Sequence, residues 1–161
     1  MIRRLVIMRH GHAWRDSPLG DHARQLDPLG IEECRDVGRA MAAQGWMPDH
    51  VVTSDAARTR ESWYWVAQQL PVKPPHEHLR ALYGCSWIGA IAVLSEIDTE
   101  CETALYIGHN PACEEIVEVA SGHGGWLLST ANAVLLQGKG ATWAEALRPG
   151  AWTVAGRIAP S

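Results

Sequence analysis

Three short segments carry side chains suited to work on a phosphoryl group. Arg9-His10-Gly11-His12 follows one apolar run, Ser54 leads into Arg58, and Gly108-His109-Asn110-Pro111 follows another apolar run. A guanidinium presents a planar fork of donors that matches phosphate oxygens. A neutral imidazole is a nucleophile that can hold a covalent intermediate. Two Arg and two His around one point would neutralise the equatorial oxygens of a phosphoryl group while one imidazole attacks in line. Glycine in two of the segments lets the backbone turn tightly or come close to a ligand. Taken singly, each segment also reads as an ordinary turn. Their order and placement are what join them.

The elements that must position these residues follow from apolar patterning. Arg4–Arg9 reads as a buried strand: a short run rich in branched residues, ended by charge. Residues 10–27 form a long loop rich in Gly, Asp, His and Pro. Asp27-Pro28 then supplies an N-cap and first helical position, and apolar or small residues recur at helical spacing up to Gly45. Val51–Thr53 is a second strand, and Ser54-Asp55 caps a helix from about Ala56 to Leu70. Further strands are expected near His76–Leu79, at Thr103–Ile107, and in a late pair at Ala133–Gln137 and Trp152–Ile158. Helices are expected at Trp87–Ile97 and Ala112–Ala120. Alternating strands and helices imply an α/β protein: a three-layer α/β/α sandwich with a mainly parallel central sheet, covering residues 1–161 as one domain. Ligands of such sheets bind beyond the carboxyl ends of the strands, where the three segments lie.

These segments resemble the histidine phosphatase (phosphoglycerate-mutase-like) superfamily, and within it the short SixA-type phosphohistidine phosphatases. Support extends along the chain. His22–Gly30 resembles that branch's Asp-x-x-Arg-Pro-Leu-Thr-x-x-Gly segment, and Val51–Ser62 its strand with Ser-x-Ala-x-Arg-x-x-x-Thr. Leu82-Tyr83 and Ser129–Ala133 match further pieces. The resemblance implies that His10 is the nucleophile, that Arg9 and Arg58 bind phosphate oxygens, and that His109 binds the same phosphoryl group with its ring held by local hydrogen bonds. Asn110 would shape its turn or touch the ligand. Arg24 would widen the positive rim or remain a solvated loop cation. No cofactor and no metal are implied.

The sequence also departs from the superfamily. Many members place a carboxylic acid in a Leu-x-Glu-type segment, whereas Leu79–Gly84 has none. Glu77, Asp16 and Asp21 remain candidate proton donors. An imidazole leaving group needs a positioned acid less than an alkoxide does, which favours a phosphoramidate substrate. His12 can donate a proton, line the pocket or stay in the loop. Cys113 is activated if it sits at a helix start and is otherwise a small packed residue.

His10-x-His12 suits a bimetallic hydrolase, but that site commonly sits on a barrel of ~250 residues, and Arg9 and Arg58 would repel a cation. A non-catalytic phosphate-binding module would keep the arginines without needing His10. Hydrolysis of small phosphate monoesters is the alternative within the superfamily. With 161 residues and a net charge of −4, the chain is too acidic for a generic nucleic-acid binder. Residues 1–80 carry +1 and residues 81–161 carry −5, so anion-binding cations belong to the first half. The run Leu5–Met8 is too short for a signal peptide, and no run is long enough for a membrane helix. Four scattered Cys suggest a reducing cytoplasm. The expected partner is a phosphorylated protein, such as a histidine phosphotransfer domain, or a small phosphoramidate.

Overall fold

The computed structural model describes residues 1–161. Six strands form one sheet: β1 (Ile2–Arg9), β2 (His50–Ser54), β3 (His76–Leu79), β4 (Thr103–Gly108), β5 (Ala133–Lys139) and β6 (Thr153–Ile158). Their order is β3-β2-β4-β1-β5-β6. The pairings β3–β2, β2–β4 and β4–β1 are parallel, while β1–β5 and β5–β6 are antiparallel. The sheet is therefore mostly parallel, as the alternation of elements implied.

Five helices cover it: α1 (Pro28–Ala43), α2 (Ala57–Ala67), α3 (Trp87–Ser95), α4 (Ala112–Ser121) and the short α5 (Trp143–Ala146). The period of two along β1 explains the layers. Leu5 and Ile7 point into a core shared with Leu94, Ile116 and Val117 of α3 and α4. Val6 and Met8 point into a second core with Val37 and Met41 of α1 and Trp63 and Val66 of α2. All four β1 residues are fully buried.

Two local features bear on the site. Asp27 caps α1, its carboxylate accepting from Gly30 N at 2.9 Å. At α2 the expected Ser54-Asp55 cap does not form. The helix starts at Ala57 after Ala56, without a side-chain cap, because the Ser54 hydroxyl is engaged elsewhere. The loop after β1 has a pinned neck: Ala13 and Leu26 form an isolated bridge, Trp14 N donates to Gln25 O, and Asp27 N donates to His12 O. Its tip holds a 3-10 turn at Asp21–Ala23.

Candidate active site

β1 and β4 run in register, with Arg9 opposite Gly108. The His10 amide donates to Gly108 O at 3.0 Å. Two histidines thus leave adjacent strand ends, their ring centroids 5.3 Å apart. His10 is buried, and its Nδ1 lies 2.7 Å from Gly11 O. A carbonyl only accepts, so Nδ1 carries the proton and the neutral ring has its lone pair on Nε2. Burial drives the His10 pKa down to about 3; the Gly11 hydrogen bond opposes this, while His109, Arg58 and Arg9 reinforce it. The imidazole is neutral at neutral pH, as a nucleophile must be.

The His109 ring has two partners. Ser54 Oγ is 2.7 Å from Nε2, and Arg58 Nη2 is 3.4 Å from Nδ1. A guanidinium only donates, so Nδ1 accepts and Nε2–H donates to Ser54. Ser54 Oγ in turn lies 2.7 Å from Thr59 Oγ1, which donates onward to the Ser54 or Ala56 carbonyl. Burial and Arg58 lower the His109 pKa to about 4, against Asp21, with Arg9 and His22 adding to the effect.

Arg58 leaves the first turn of α2 and is 6% exposed. Its Nη1 donates to Asp21 O at 2.8 Å and its Nη2 approaches Asp21 Oδ2 at 3.2 Å. Arg9 Nη1 donates to Leu128 O at 3.1 Å. The Nε atoms of both arginines are buried without a hydrogen-bond partner. Both cations act on both histidines, so the four groups form one cluster. Asn110 shapes the turn after β4: its Nδ2 donates to Leu128 O, its Oδ1 is buried and unpartnered, and its bond to Pro111 is cis.

Asp21 and Tyr83 form the rim. Tyr83 donates to Asp21 Oδ2 at 2.5 Å and Arg24 Nη1 to Oδ1 at 3.0 Å. These bonds, with Arg58, hold the Asp21 carboxyl well below the usual range. The Tyr83 ring meets His109 edge-on at 5.8 Å. Arg24 also donates to Trp14 O, so it braces Asp21 and the loop instead of facing an open pocket. Two contributors are hidden in the sequence: the Ser54 hydroxyl, which reads as a helix cap, and Tyr83, which stands out only as half of a Leu-Tyr pair.

Other candidates lie apart from the cluster. Glu77 is exposed on the edge strand β3 and pairs with His50, toward the amino end of β2. Asp16 is exposed and makes no side-chain hydrogen bond. His12 turns to Asp27, and its amide donates to Glu33 at 2.8 Å, so His10 and His12 face different partners. Cys113 opens α4 but is fully buried, and burial pushes its thiol up to about 12, which makes it a packed residue. Gly11 is required by contact with α1: a Cβ there would lie 2.8 Å from Cys34 Sγ and 2.9 Å from Gly30 O. A Cβ on Gly30 would meet His12 O at 1.9 Å.

No protein-family model matches the chain. It is 33% identical over 171 residues to an uncharacterized chloroplastic protein of Arabidopsis thaliana, covering 98% of this chain and 78% of the relative. Among solved structures, the protein histidine phosphatase SixA complexed with tungstate matches with a TM-score of 0.84 at 22% identity, over 98% of this chain and 97% of that one. The mycobacterial glucosyl-3-phosphoglycerate phosphatase matches with a TM-score of 0.67 at 14% identity, over 96% and 98%. The chain belongs to one family with the Arabidopsis protein, and its fold is the histidine phosphatase fold in its SixA-type form.

Proposed function

We propose that the protein is a metal-independent phosphatase that hydrolyses phosphohistidine on a protein through a phosphohistidine intermediate on His10. One observation carries this reading. Two buried arginine Nε–H donors lack acceptors beside an imidazole whose Nε2 lone pair is free. Buried donors are almost always paired, so an unpaired pair of cationic donors calls for an anion. A phosphoryl group supplies oxygens for both, and His109 Nδ1 can add a proton donor when protonated.

His10 Nε2 attacks phosphorus while the bond to the leaving group breaks on the opposite side. Water then attacks the phosphorus, and the bond to Nε2 breaks to release phosphate. Arg9 and Arg58 hold the equatorial oxygens through both steps. The substrate class we assign is a phosphorylated side chain borne by a partner protein, such as a histidine phosphotransfer domain. A small phosphoramidate would use the same chemistry. No helix is long and apolar enough to cross a membrane. All four cysteines are free, which fits a reducing compartment, and cytoplasm is the location we assign.

The test is turnover of a phosphohistidine protein beside a phosphoserine peptide and a sugar phosphate. The phosphohistidine protein is expected to be the preferred substrate, and His10→Ala to lose at least about 1,000-fold in kcat/KM with an intact fold. A strong monoester preference would sink the substrate assignment. An active His10→Ala protein would sink the mechanism.

A further inference from the structure

Displacement at phosphorus is in line, so a leaving group opposite His10 points out of the cluster toward its rim. The rim is built by the 3-10 turn at Asp21–Ala23, by Tyr83 and by the start of the β2–α2 connection. Its proton donors can be compared. The Asp21 carboxylate already accepts from Tyr83, Arg24 and Arg58, and those bonds keep it ionised. Tyr83 spends its hydroxyl proton on Asp21, and that bond raises its pKa. His22 differs from both. Its Nε2 lies 2.7 Å from Asp55 Oδ1, and its Nδ1 has no partner. Its ring meets Tyr83 edge-on at 4.8 Å, and Tyr83 meets His109. Both members of the pair flank groups that hold the cluster: His22 follows Asp21, whose carbonyl binds Arg58, and Asp55 follows Ser54, which binds His109.

We propose that His22, oriented by Asp55, is the catalytic acid that protonates the leaving atom from its Nδ1. This rests on the phosphatase reading above and deepens it. In the first step the bond from phosphorus to the leaving nitrogen breaks, and that nitrogen takes the Nδ1 proton. The Asp55 carboxylate holds Nε2–H throughout, which fixes the ring's orientation and leaves Nδ1 as the nitrogen that gives and takes the proton. In the second step Nδ1 takes a proton from the attacking water, and the pair is reset. An imidazole donor is closely matched to an imidazole leaving group, which is where proton transfer is most efficient. Asp55 acts through His22 as a positioning residue.

The test compares two esters that differ in their need for a proton. His22→Asn is expected to lose at least about 100-fold in kcat/KM on phenyl phosphate and less than about threefold on p-nitrophenyl phosphate, whose leaving oxygen needs no acid. Asp55→Asn should show the same selective loss, roughly tenfold, confined to kcat. Inhibition by tungstate should stay within about twofold of wild type in both, because the arginines that bind the anion are untouched. Equal losses on both esters, or none, would overturn the role of His22 while leaving the phosphatase reading intact. Wild-type protein that binds tungstate but hydrolyses neither the esters nor phosphohistidine would bring down that reading and the acid with it.

Discussion

The two ends of β1 each carry an arginine, and the protein treats them in opposite ways. Arg3, at the amino end, is fully buried. Its Nη1 donates to Thr99 O and Cys101 O at 2.6 Å each, its Nη2 to Ala141 O at 2.6 Å, and its Nε to Gly140 O at 3.2 Å. It also lies over the Trp143 ring at 5.8 Å. Every nitrogen is occupied by the protein itself. At the carboxyl end Arg9 leaves its Nε empty, and so does its neighbour Arg58. A closed donor shell ties segments together, whereas an open one is a receptor. Burial alone does not separate these roles; the tally of unspent donors does.

The contrast can be broken in three ways. The largest effect is expected from Arg58→Ala, which should lower kcat/KM by roughly 10²–10³. Arg58→Lys should recover only part of that loss, since a point charge replaces a fork. Full activity in the lysine variant, measured on the same substrate, would mean that charge suffices and that the open Nε is incidental.

Arg3→Met should act on stability instead. Removing the guanidinium breaks four hydrogen bonds, one buried and three partly buried, a cost of about 3 kcal/mol that urea unfolding can measure. Activity per folded molecule should be preserved. A variant with normal stability and reduced turnover would reverse the roles assigned to the two ends.

The third effect concerns pH. The folded-state pKa values of His10 and His109 are lowered to about 3 and about 4, below the usual imidazole value. Between those values and about 6.5 the unfolded chain binds more protons than the native one, so stability falls as pH drops through that window and is fully present above it. Each histidine contributes a slope of up to about 1.4 kcal/mol per pH unit. Denaturation midpoints between pH 6.5 and 5 should show it, and replacing either histidine by Gln should flatten the curve. An unchanged curve in both variants would show that neither ring is held neutral by its surroundings.

Much of the sheet was legible because β1, β2 and β4 are short branched runs ended by polar residues. The placement of His10, Arg58 and His109 followed from the rule that parallel strands present their carboxyl ends to ligands. What escaped depended on register and side-chain direction. Ser54 looks like a cap because hydroxyls before helices often are. Only the β2–β4 pairing, with Thr53 beside Ile107, shows that its hydroxyl faces His109. Glu77 is near Leu82-Tyr83 in sequence, yet its side chain reaches back to His50. Asp21 and Tyr83 are distant in sequence and meet only because the loop after β1 folds over the end of β2. The Asp27 cap and the helix it starts were readable directly, since capping is a local matter.

The pinned neck of the loop after β1 has a consequence for how this scaffold can diversify. Residues beyond Ala13 and before Leu26 form an excursion whose two ends are fixed to each other by a bridge and backbone hydrogen bonds. Lengthening such an excursion adds little entropy cost, because closure depends only weakly on length. His10 lies below the neck and Arg58 on another element. The tip can therefore be rebuilt around its turn, provided it still delivers the carboxylate and carbonyl of Asp21 and the imidazole of His22 where they now stand. The rest of the excursion is free to change in length and sequence, and a single pair of residues, Ala13 and Leu26, insulates the sheet from that change.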